Sequence, residues 1–209
     1  PAELKSHKIL YDIVCKVREF RLASRAKTTN GYAKVPHLFA QITQPEGKDY
    51  ILVPRVSSEN RVYIPIGFNT ANVVASDAVQ IIPDASLYHF GVLESSVHMA
   101  WMRVVCGRLK SDYRYSKDIV YNNFPWPKVT EAQRAKIEAT AQAILDARRL
   151  YPDSSLADLY DPVLMPAELR EAHRQNDRAV MAAYGFPTKI TESECVARLF
   201  EMYARMIQK

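Results

Sequence analysis

The sequence predicts an α+β fold, in which an N-terminal helix leads into a mixed or antiparallel region of short strands with a packed helix, followed by an all-α C-terminal helical bundle. Three observations support this class. Apolar residues recur at helical spacing near the N-terminus, β-like runs occupy residues 36–83, and capped helical patterns follow the FPWP stretch at 124–127. We therefore divide the chain into regions 1–127 and 128–209.

Residues 1–27 predict a single amphipathic helix. Its apolar stripe, at three- and four-residue steps, consists of Leu10, Val14, Val17 and Phe20. Basic residues crowd its C-terminal end, namely Arg18, Arg21, Arg25 and Lys27. Cations at that end stabilise the helix dipole and are equally able to contact phosphates, so the pattern leaves both roles open.

Four short runs rich in β-branched and aromatic residues follow: HLFAQI, DYILVPRV, RVYIPIGF and DAVQIIP. Such runs, broken by turn residues, predict short strands. Pro54 and Pro65 lie inside two of them and favour edge or irregular strands, because proline cannot donate a ladder hydrogen bond. The SSEN stretch at 57–60 predicts a hairpin loop.

Residues 86–106 predict one buried helix, and Gly107 is a candidate C-cap for it. The stretch GRLKSDYRYSKDIVYNNFPWP comes next. If it forms one strand, Lys110, Asp112 and Arg114 share a face, because alternate side chains of a strand point the same way. The other face then displays Leu109, Ser111, Tyr113 and Tyr115. An edge strand with a solvated charged face would also explain the pattern.

All patterns after FPWP are helical. Local signals mark the helix ends: capping pairs at Thr130 with Gln133 and at Thr191 with Glu194, a first-position proline at Pro166 and a terminating glycine at Gly185. Apolar residues recur at helical spacing between these signals. We expect these helices to form a small bundle on or beside the β-containing part.

Composition and missing motifs narrow the function. The chain has 209 residues and a net charge of +5, which favours polyanionic partners only mildly. It contains no apolar run of bilayer length, and its three cysteines lie far apart without CxxC spacing, which predicts a cytoplasmic protein without a zinc site. Phosphate-cradle, zinc-protease and serine-nucleophile motifs are missing, and His89 and His98 do not converge on one helix face. These residues predict binding rather than catalysis.

A long continuous motif resembles a known family. ASLYHFGVLESSVHMAWMRVVCGRLKSDYRYSKDIVYNNFPWP, with ILVPRVSSENRVYIPIGF before it and SLADLYDP after it, is similar to the C-terminal half of MmeI-like enzymes. These are single-chain restriction-modification proteins of type IIG/IIL, which serve bacterial defence. In that family a nuclease domain and an adenine-N6 methyltransferase domain, using S-adenosylmethionine, precede a target recognition domain and a helical C-terminal region.

The resemblance implies that this chain is the DNA-reading part of such an enzyme and is not catalytic by itself. The opening at Pro1, inside a helical pattern, fits a piece of a longer protein. Double-stranded DNA and the methyltransferase domain of the same chain are the expected partners, with no membrane. The resemblance implies no cofactor in this part, whereas S-adenosylmethionine, and magnesium for cleavage, would serve the parent enzyme.

The resemblance also implies base-reading side chains: Arg55 with Asp77 at one base pair, Lys110 with Asp112 at another, and Ala78 with Arg114 near a third. In the major groove guanine presents two acceptors and its partner cytosine a donor, so a cation beside a carboxylate matches a G·C pair. The expected preference is G·C at two positions and a purine at the third. A plain surface salt bridge, worth about 0–1 kcal/mol, would also explain each oppositely charged pair.

Expected phosphate contacts are Ser57, Ser58, Arg61, Arg108 and Lys117. Contacts of this kind position a protein on DNA without specifying sequence. Ordinary solvated loop polarity explains the same residues. Packing roles are assigned to the aromatic residues Trp101, Trp126, Tyr113 and Tyr115.

Two other functions fit the residues. The apolar faces of the helical region would suit a structural or protein-interaction module that binds no nucleic acid. The aromatic residues would suit a single-stranded nucleic-acid binder, which uses them as stacking platforms. Binding that weakens steeply with salt, through counterion release, would separate a DNA reader from a protein-interaction module.

Overall fold

The computed structural model describes residues 2–40 and 44–208 and divides the chain into two compact units, Pro1–Gln44 and Pro45–Lys209. The first unit contains the helices α1 (Ala2–Ser6), α2 (Lys8–Leu22) and α3 (Lys27–Gly31), followed by a 3-10 turn at Tyr32–Lys34. The single helix expected over residues 1–27 is therefore wrong. His7 leaves the helical backbone between α1 and α2, with φ −99° and ψ 83°.

Arg21 ties the end of α2 to the segment that follows α3. Its guanidinium donates to the carbonyl oxygens of Tyr32 at 2.9 Å, Val35 at 3.0 Å and Leu38 at 2.8 Å. These bonds accompany a series of turns, so the HLFAQI run is not a strand over residues 37–40. Residues 41 and 42 of that run lie outside the described residues. Arg21 therefore has a structural role within the first unit.

The strands of the second unit form two small antiparallel sheets. They are β1 (Tyr50–Pro54), β2 (Val56–Ser57), β3 (Gly67–Asn69), β4 (Val79–Pro83), β5 (Gly107–Leu109) and β6 (Asp112–Arg114). The first sheet has the order β3-β1-β4 and the second the order β2-β6-β5. The central strand β1 buries Ile51 and Val53 completely. Arg55 alone separates β1 from β2, so the two sheets meet at this residue.

The RVYIPIGF run is a strand only at its end, because residues 61–66 have irregular backbone. Ile64 and Ile66 are nonetheless buried. Side chains satisfy the backbone of Ile66 in place of a ladder: its N–H donates to Glu94 Oε1 at 3.0 Å, and its carbonyl accepts from Arg148 Nη1 at 2.7 Å. The irregularity expected from Pro65 is confirmed, and the expected strand over this part is wrong.

The single helix expected over residues 86–106 is two helices, α4 (Leu87–Leu93) and α5 (Ser96–Val105). Ser95 interrupts it because its side chain caps α5, accepting the N–H of His98 at 3.3 Å. Gly107 is not the C-cap of α5, since it begins β5. Large buried side chains of the two helices are Phe90, Leu93, Met99, Trp101 and Met102.

The C-terminal region contains the helices α6 (Glu131–Arg149), α7 (Leu156–Leu159), α8 (Ala167–Tyr184) and α9 (Glu192–Ile207). Both predicted capping boxes are confirmed: Thr130 with Gln133, and Thr191 with Glu194. Gly185 ends α8 with φ +67°, a left-handed conformation that glycine adopts without steric cost. Pro166 immediately precedes α8 and is not its first residue.

One hydrophobic core joins the strands, the central helices and the C-terminal helices. Gly91 of α4 lies against α6, where a Cβ atom would come within 2.7 Å of Ile137 Cγ2. The ring of Trp101 in α5 lies 5.2 Å from that of Phe200 in α9. The α+β class is confirmed, while the domain boundary at 127/128 stays a prediction. No helix in the described part of the chain is long and apolar enough to span a bilayer.

Candidate nucleic-acid interface

A tight hairpin contains three of the expected base-reading residues, Lys110, Asp112 and Arg114. Strands β5 and β6 pair antiparallel, and Leu109 opposite Asp112 leaves only Lys110 and Ser111 in the turn. Lys110 has φ +56°, which is uncommon for a residue with a side chain. The continuous strand expected through Lys110, Asp112 and Arg114 is therefore wrong, because the chain reverses at Lys110. Lys110 projects from the turn, and the other two lie on β6.

Alternation within β6 agrees with the sequence prediction. Tyr113 is buried and Arg114 is exposed, with Asp112 half-buried. Tyr115 is also buried, 3% exposed, and its hydroxyl lies 3.2 Å from His98 Nε2. The tyrosines therefore anchor the hairpin to the core, as expected for packing residues.

Arg55 connects the three segments that contain the base-reading residues. Its backbone N–H donates to the carbonyl of Ala78 at 2.9 Å, and its own carbonyl accepts from the N–H of Tyr115 at 2.8 Å. The neighbouring pair Val56 and Arg114 are opposite each other in the second sheet. Segments that are distant in sequence thus meet at one backbone junction, which we call the Arg55 junction.

The charged side chains at the Arg55 junction are open to a partner. Arg55, Asp77 and Lys110 are exposed, and no ion pair joins Arg55 to Asp77 or Lys110 to Asp112. Asp112 Oδ1 instead accepts the backbone N–H of Glu59 at 3.4 Å. The plain salt bridges that offered the alternative explanation are not formed between these described residues.

Strand register assigns side chains of the second sheet to two faces, because directly opposite residues of an antiparallel pair share a face. The inner face contains Ser57, Tyr113 and Arg108. The outer face contains the cross-strand pairs Leu109–Asp112 and Val56–Arg114. Arg108 therefore lies on the opposite face from Asp112 and Arg114.

Two of the expected phosphate contacts are not presented as free surface groups. Ser57 is only 3% exposed on the inner face. Arg108 is engaged by its neighbours, with Nη1 donating to the carbonyl of Ser111 at 2.8 Å and the guanidinium 4.3 Å from the centre of the Tyr113 ring. Their phosphate roles stay predictions that this placement does not favour.

The other three expected phosphate contacts are Ser58, Arg61 and Lys117. Ser58 belongs to a turn, in which its carbonyl accepts the N–H of Arg61 at 3.2 Å. This turn is not the hairpin loop expected from SSEN, since β2 pairs with β6 instead of with the chain that follows. Arg61 is half-buried, and Lys117 is exposed at the start of a π-helical turn, Lys117–Tyr121. Their phosphate roles stay predictions.

Ionisable groups beneath the hairpin are kept neutral by burial. Burial lowers the pKa of His98 to about 4. Because a carbonyl only accepts, His98 Nδ1 donates its proton to the carbonyl of Leu93, at 2.8 Å. Burial also raises the pKa of Tyr115 and that of the Cys106 thiol. The charge of this surface therefore comes from the exposed side chains above.

Two family models match the chain. The model of the MmeI target recognition domain matches residues 1–128, and that of the MmeI C-terminal domain matches residues 129–209. The chain belongs to the MmeI family. The two matches meet at residues 128 and 129, beside the boundary that the sequence predicted.

Known relatives of this MmeI family member are much longer. DNA methyltransferase A of Bacillus subtilis (strain 168) is 37% identical over 207 residues, which are 99% of this chain and 23% of the relative. A solved structure of the Type IIL restriction-modification enzyme MmeI in complex with DNA has a TM-score of 0.90 and 50% identity, covering 94% of this chain and 26% of that one. The chain thus spans about a quarter of each relative.

The two histidines that the sequence analysis considered, His89 and His98, have structural roles in this MmeI family member. His89 Nδ1 accepts the N–H of Ser86 at 3.1 Å and so caps α4, whereas His98 lies in the core. Over residues 2–40 and 44–208, no group of three or more His, Cys, Asp and Glu could hold a metal ion.

A buried ion pair was missed by the sequence analysis. Glu94 is fully buried, and its Oε1 accepts from Arg148 Nη2 at 2.7 Å as well as from Ile66. Arg148 also donates to the Tyr160 hydroxyl. Burial raises the pKa of Glu94 to about 7, although Arg148 opposes the shift. A carboxylate inside the apolar stretch GVLESSVHMAW was the available signal.

Asp177 of α8 extends this buried network. It accepts from the Tyr63 hydroxyl at 2.7 Å and from the N–H of Ser96 at 2.6 Å. The ring of His173 stacks on Tyr63 with centroids 4.0 Å apart, and burial lowers the pKa of His173 to about 3. The MmeI C-terminal helices are therefore joined to the β-containing region by hydrogen bonds as well as by apolar packing.

Proposed function

We propose that this chain is the duplex-DNA recognition module of an adenine-N6 DNA methyltransferase of the type IIG/IIL restriction-modification class, and that it reads base edges in the major groove. The observation that supports this most directly is the Arg55 junction. It brings Arg55, the Asp77–Ala78 segment and β6 together through backbone hydrogen bonds. Arg55, Asp77 and Arg114 are exposed in these segments, and Lys110 is exposed in the turn of the adjoining hairpin.

The chemistry of the pairs suits G·C recognition. Lys110 supplies donors for guanine N7 and O6, and Asp112 supplies an acceptor for the N4 donor of the paired cytosine. Arg55 and Asp77 offer the same combination at a second base pair. Arg114 offers a donor fork to a purine, beside the small side chain of Ala78, at a third position.

Phosphate contacts would set the register of the protein on the duplex. Lys117 suits this role better than Ser57, because Lys117 is exposed and Ser57 is buried. Arg108 is exposed as well, but its guanidinium is held by the Ser111 carbonyl and the Tyr113 ring. The mild positive charge of +5 agrees with a polyanionic partner.

Methyl transfer itself would belong to the rest of a longer protein. The named relatives support this, since one is a DNA methyltransferase and the other a restriction-modification enzyme in complex with DNA. S-adenosylmethionine, and magnesium for cleavage, would be bound there. The target adenine would be flipped out of the stack toward that part, while this chain holds the neighbouring base pairs.

The test is a charge exchange in the full-length methyltransferase, Lys110→Asp with Asp112→Lys. It reverses the order of donor and acceptor, so the preferred pair at one position should change from G·C to C·G. Each good contact discriminates by about 1–3 kcal/mol, so the preference should change by about tenfold or more. Sequencing of methylated sites across a genome measures it.

The matched control is the same exchange in an exposed pair on α6, Asp146→Arg with Arg149→Asp, whose atoms lie 2.8 Å apart. It should leave the methylated motif unchanged. An unchanged motif after the Lys110 and Asp112 exchange would contradict base reading by these residues. Loss of methylation together with early thermal unfolding would assign them to folding instead.

A further inference from the structure

Arg108 makes three contacts on the inner face of the hairpin. Its Nη1 donates to the carbonyl of Ser111 at 2.8 Å, inside the turn. Its guanidinium lies over the Tyr113 ring, 4.3 Å from the centroid. Its Nη1 is also 3.7 Å from Glu59 Oε2. A planar guanidinium is suited to stacking and hydrogen bonding at once.

Glu59 links this cluster to the outer face. Its carboxylate faces Arg108, while its backbone N–H donates to Asp112 Oδ1 at 3.4 Å. One residue therefore contacts both the arginine under the turn and a base-reading carboxylate above it. The SSEN stretch itself indicates no role for Glu59, because only the fold brings it beside the hairpin.

The turn itself needs such support. Lys110 adopts φ +56°, a conformation that is sterically unfavourable for any residue with a Cβ atom. The Arg108 bond to the Ser111 carbonyl holds the turn from the face opposite that of Asp112. Without that bond, the hairpin tip gains freedom, and the spacing between the Lys110 and Asp112 side chains is no longer fixed.

We propose that Glu59 and Arg108 are positioning residues that set the base preference of Lys110 and Asp112, and that Arg108 does not act by binding phosphate. This inference rests on the proposed function. Tyr113 completes the cluster as the buried surface on which Arg108 stacks. Binding contacts with DNA remain with the outer face.

Three variants of the full-length methyltransferase test this: Glu59→Gln, Arg108→Gln and Arg108→Lys. Each should weaken discrimination at the base pair read by Lys110 and Asp112 by about tenfold, the loss expected for one well-oriented contact. Discrimination at the pair read by Arg55 and Asp77 should not change. Sequencing of methylated sites gives both quantities from one experiment.

Salt dependence separates positioning from phosphate binding. A lost phosphate contact lowers the slope of log affinity against log salt by about one and weakens all sequences equally. Positioning leaves that slope unchanged. A phosphate contact also predicts that Arg108→Lys behaves as the wild type and that Glu59→Gln, by removing a negative charge, tightens binding to every duplex. Those results would overturn the inference.

The exposed ion pair of Glu171 and Arg174 on α8, 2.8 Å apart, provides the control variant Arg174→Gln. It should change neither the motif nor the salt slope, and its melting temperature gives the reference for a lost surface pair. If the Lys110 and Asp112 exchange alters the motif while the Glu59 and Arg108 variants do not, only this inference fails. If the exchange alters nothing, the proposed function fails.

Discussion

The Arg55 junction and the Glu94–Arg148 network use the same kinds of side chain in opposite ways. In the network, Glu94 and Arg148 are buried, 2.7 Å apart, and hydrogen-bonded to backbone as well. At the junction, Arg55 and Asp77 are exposed and make no ion pair with each other. The buried charges have each other and the Ile66 backbone as partners, whereas Arg55 and Asp77 have no ion-pair partner among the described residues and are accessible to another molecule.

The largest expected effect on the free energy of unfolding is at the buried pair of Glu94 and Arg148. Arg148→Met keeps much of the side-chain volume but removes the cation and the hydrogen bonds that satisfy buried Glu94 and the Ile66 carbonyl, which should lower the free energy of unfolding by about 3–5 kcal/mol. Chemical denaturation of the chain measures it. Arg149→Met, at the exposed neighbouring position, should change stability by less than about 0.5 kcal/mol. A loss below about 1 kcal/mol for Arg148→Met would contradict this assignment.

The next effect is a pH dependence that Glu94 imposes on stability. Because burial raises its folded pKa to about 7 from the ordinary value of 4.5, the folded state binds more protons between these values. Stability relative to Glu94→Gln should therefore fall as pH rises through this window, by about 3 kcal/mol at most.

The measurement compares unfolding free energies of the wild type and Glu94→Gln from pH 4.5 to 8. Titration of His98 and His173 contributes to both curves and largely cancels in the difference. A difference that stays flat across the window, or that changes in the opposite direction, would show that Arg148 keeps the Glu94 carboxylate ionised throughout.

The smallest expected effect on the free energy of unfolding is at the exposed residues Arg55 and Asp77. Arg55→Ala and Asp77→Ala should each change the free energy of unfolding by less than about 0.5 kcal/mol, because neither side chain has an internal ion-pair partner to lose. The same variants should nevertheless relax one position of the methylated motif. Destabilisation beyond about 1 kcal/mol by either would indicate that these side chains serve the fold.

Local signals made part of the fold predictable. The capping boxes at Thr130 and Thr191 and the left-handed Gly185 follow from neighbouring residues alone, and all three are present. The burial of Tyr113 in β6, and of Tyr115 just after it, follows from alternation. Their structures depend on contacts within a few residues, which is the information that a single sequence holds most directly.

Features that depend on distant partners could not be predicted in this way. The turn at Lys110 and Ser111 lacks the glycine or asparagine that usually marks a two-residue hairpin. Ile66 takes its hydrogen bonds from Glu94 and Arg148 rather than from a strand. The candidate base-reading residues came from a family resemblance, and their adjacency at the Arg55 junction depends on backbone bonds between distant segments.

The bonds at Arg55 have a consequence for how such a protein changes over generations. They use only main-chain atoms, the N–H of Arg55 and the carbonyls of Arg55 and Ala78, together with the N–H of Tyr115. Replacing the Arg55 side chain leaves those atoms in place. Evolution can therefore change the side chain at position 55 without removing the backbone bonds that hold the three segments together.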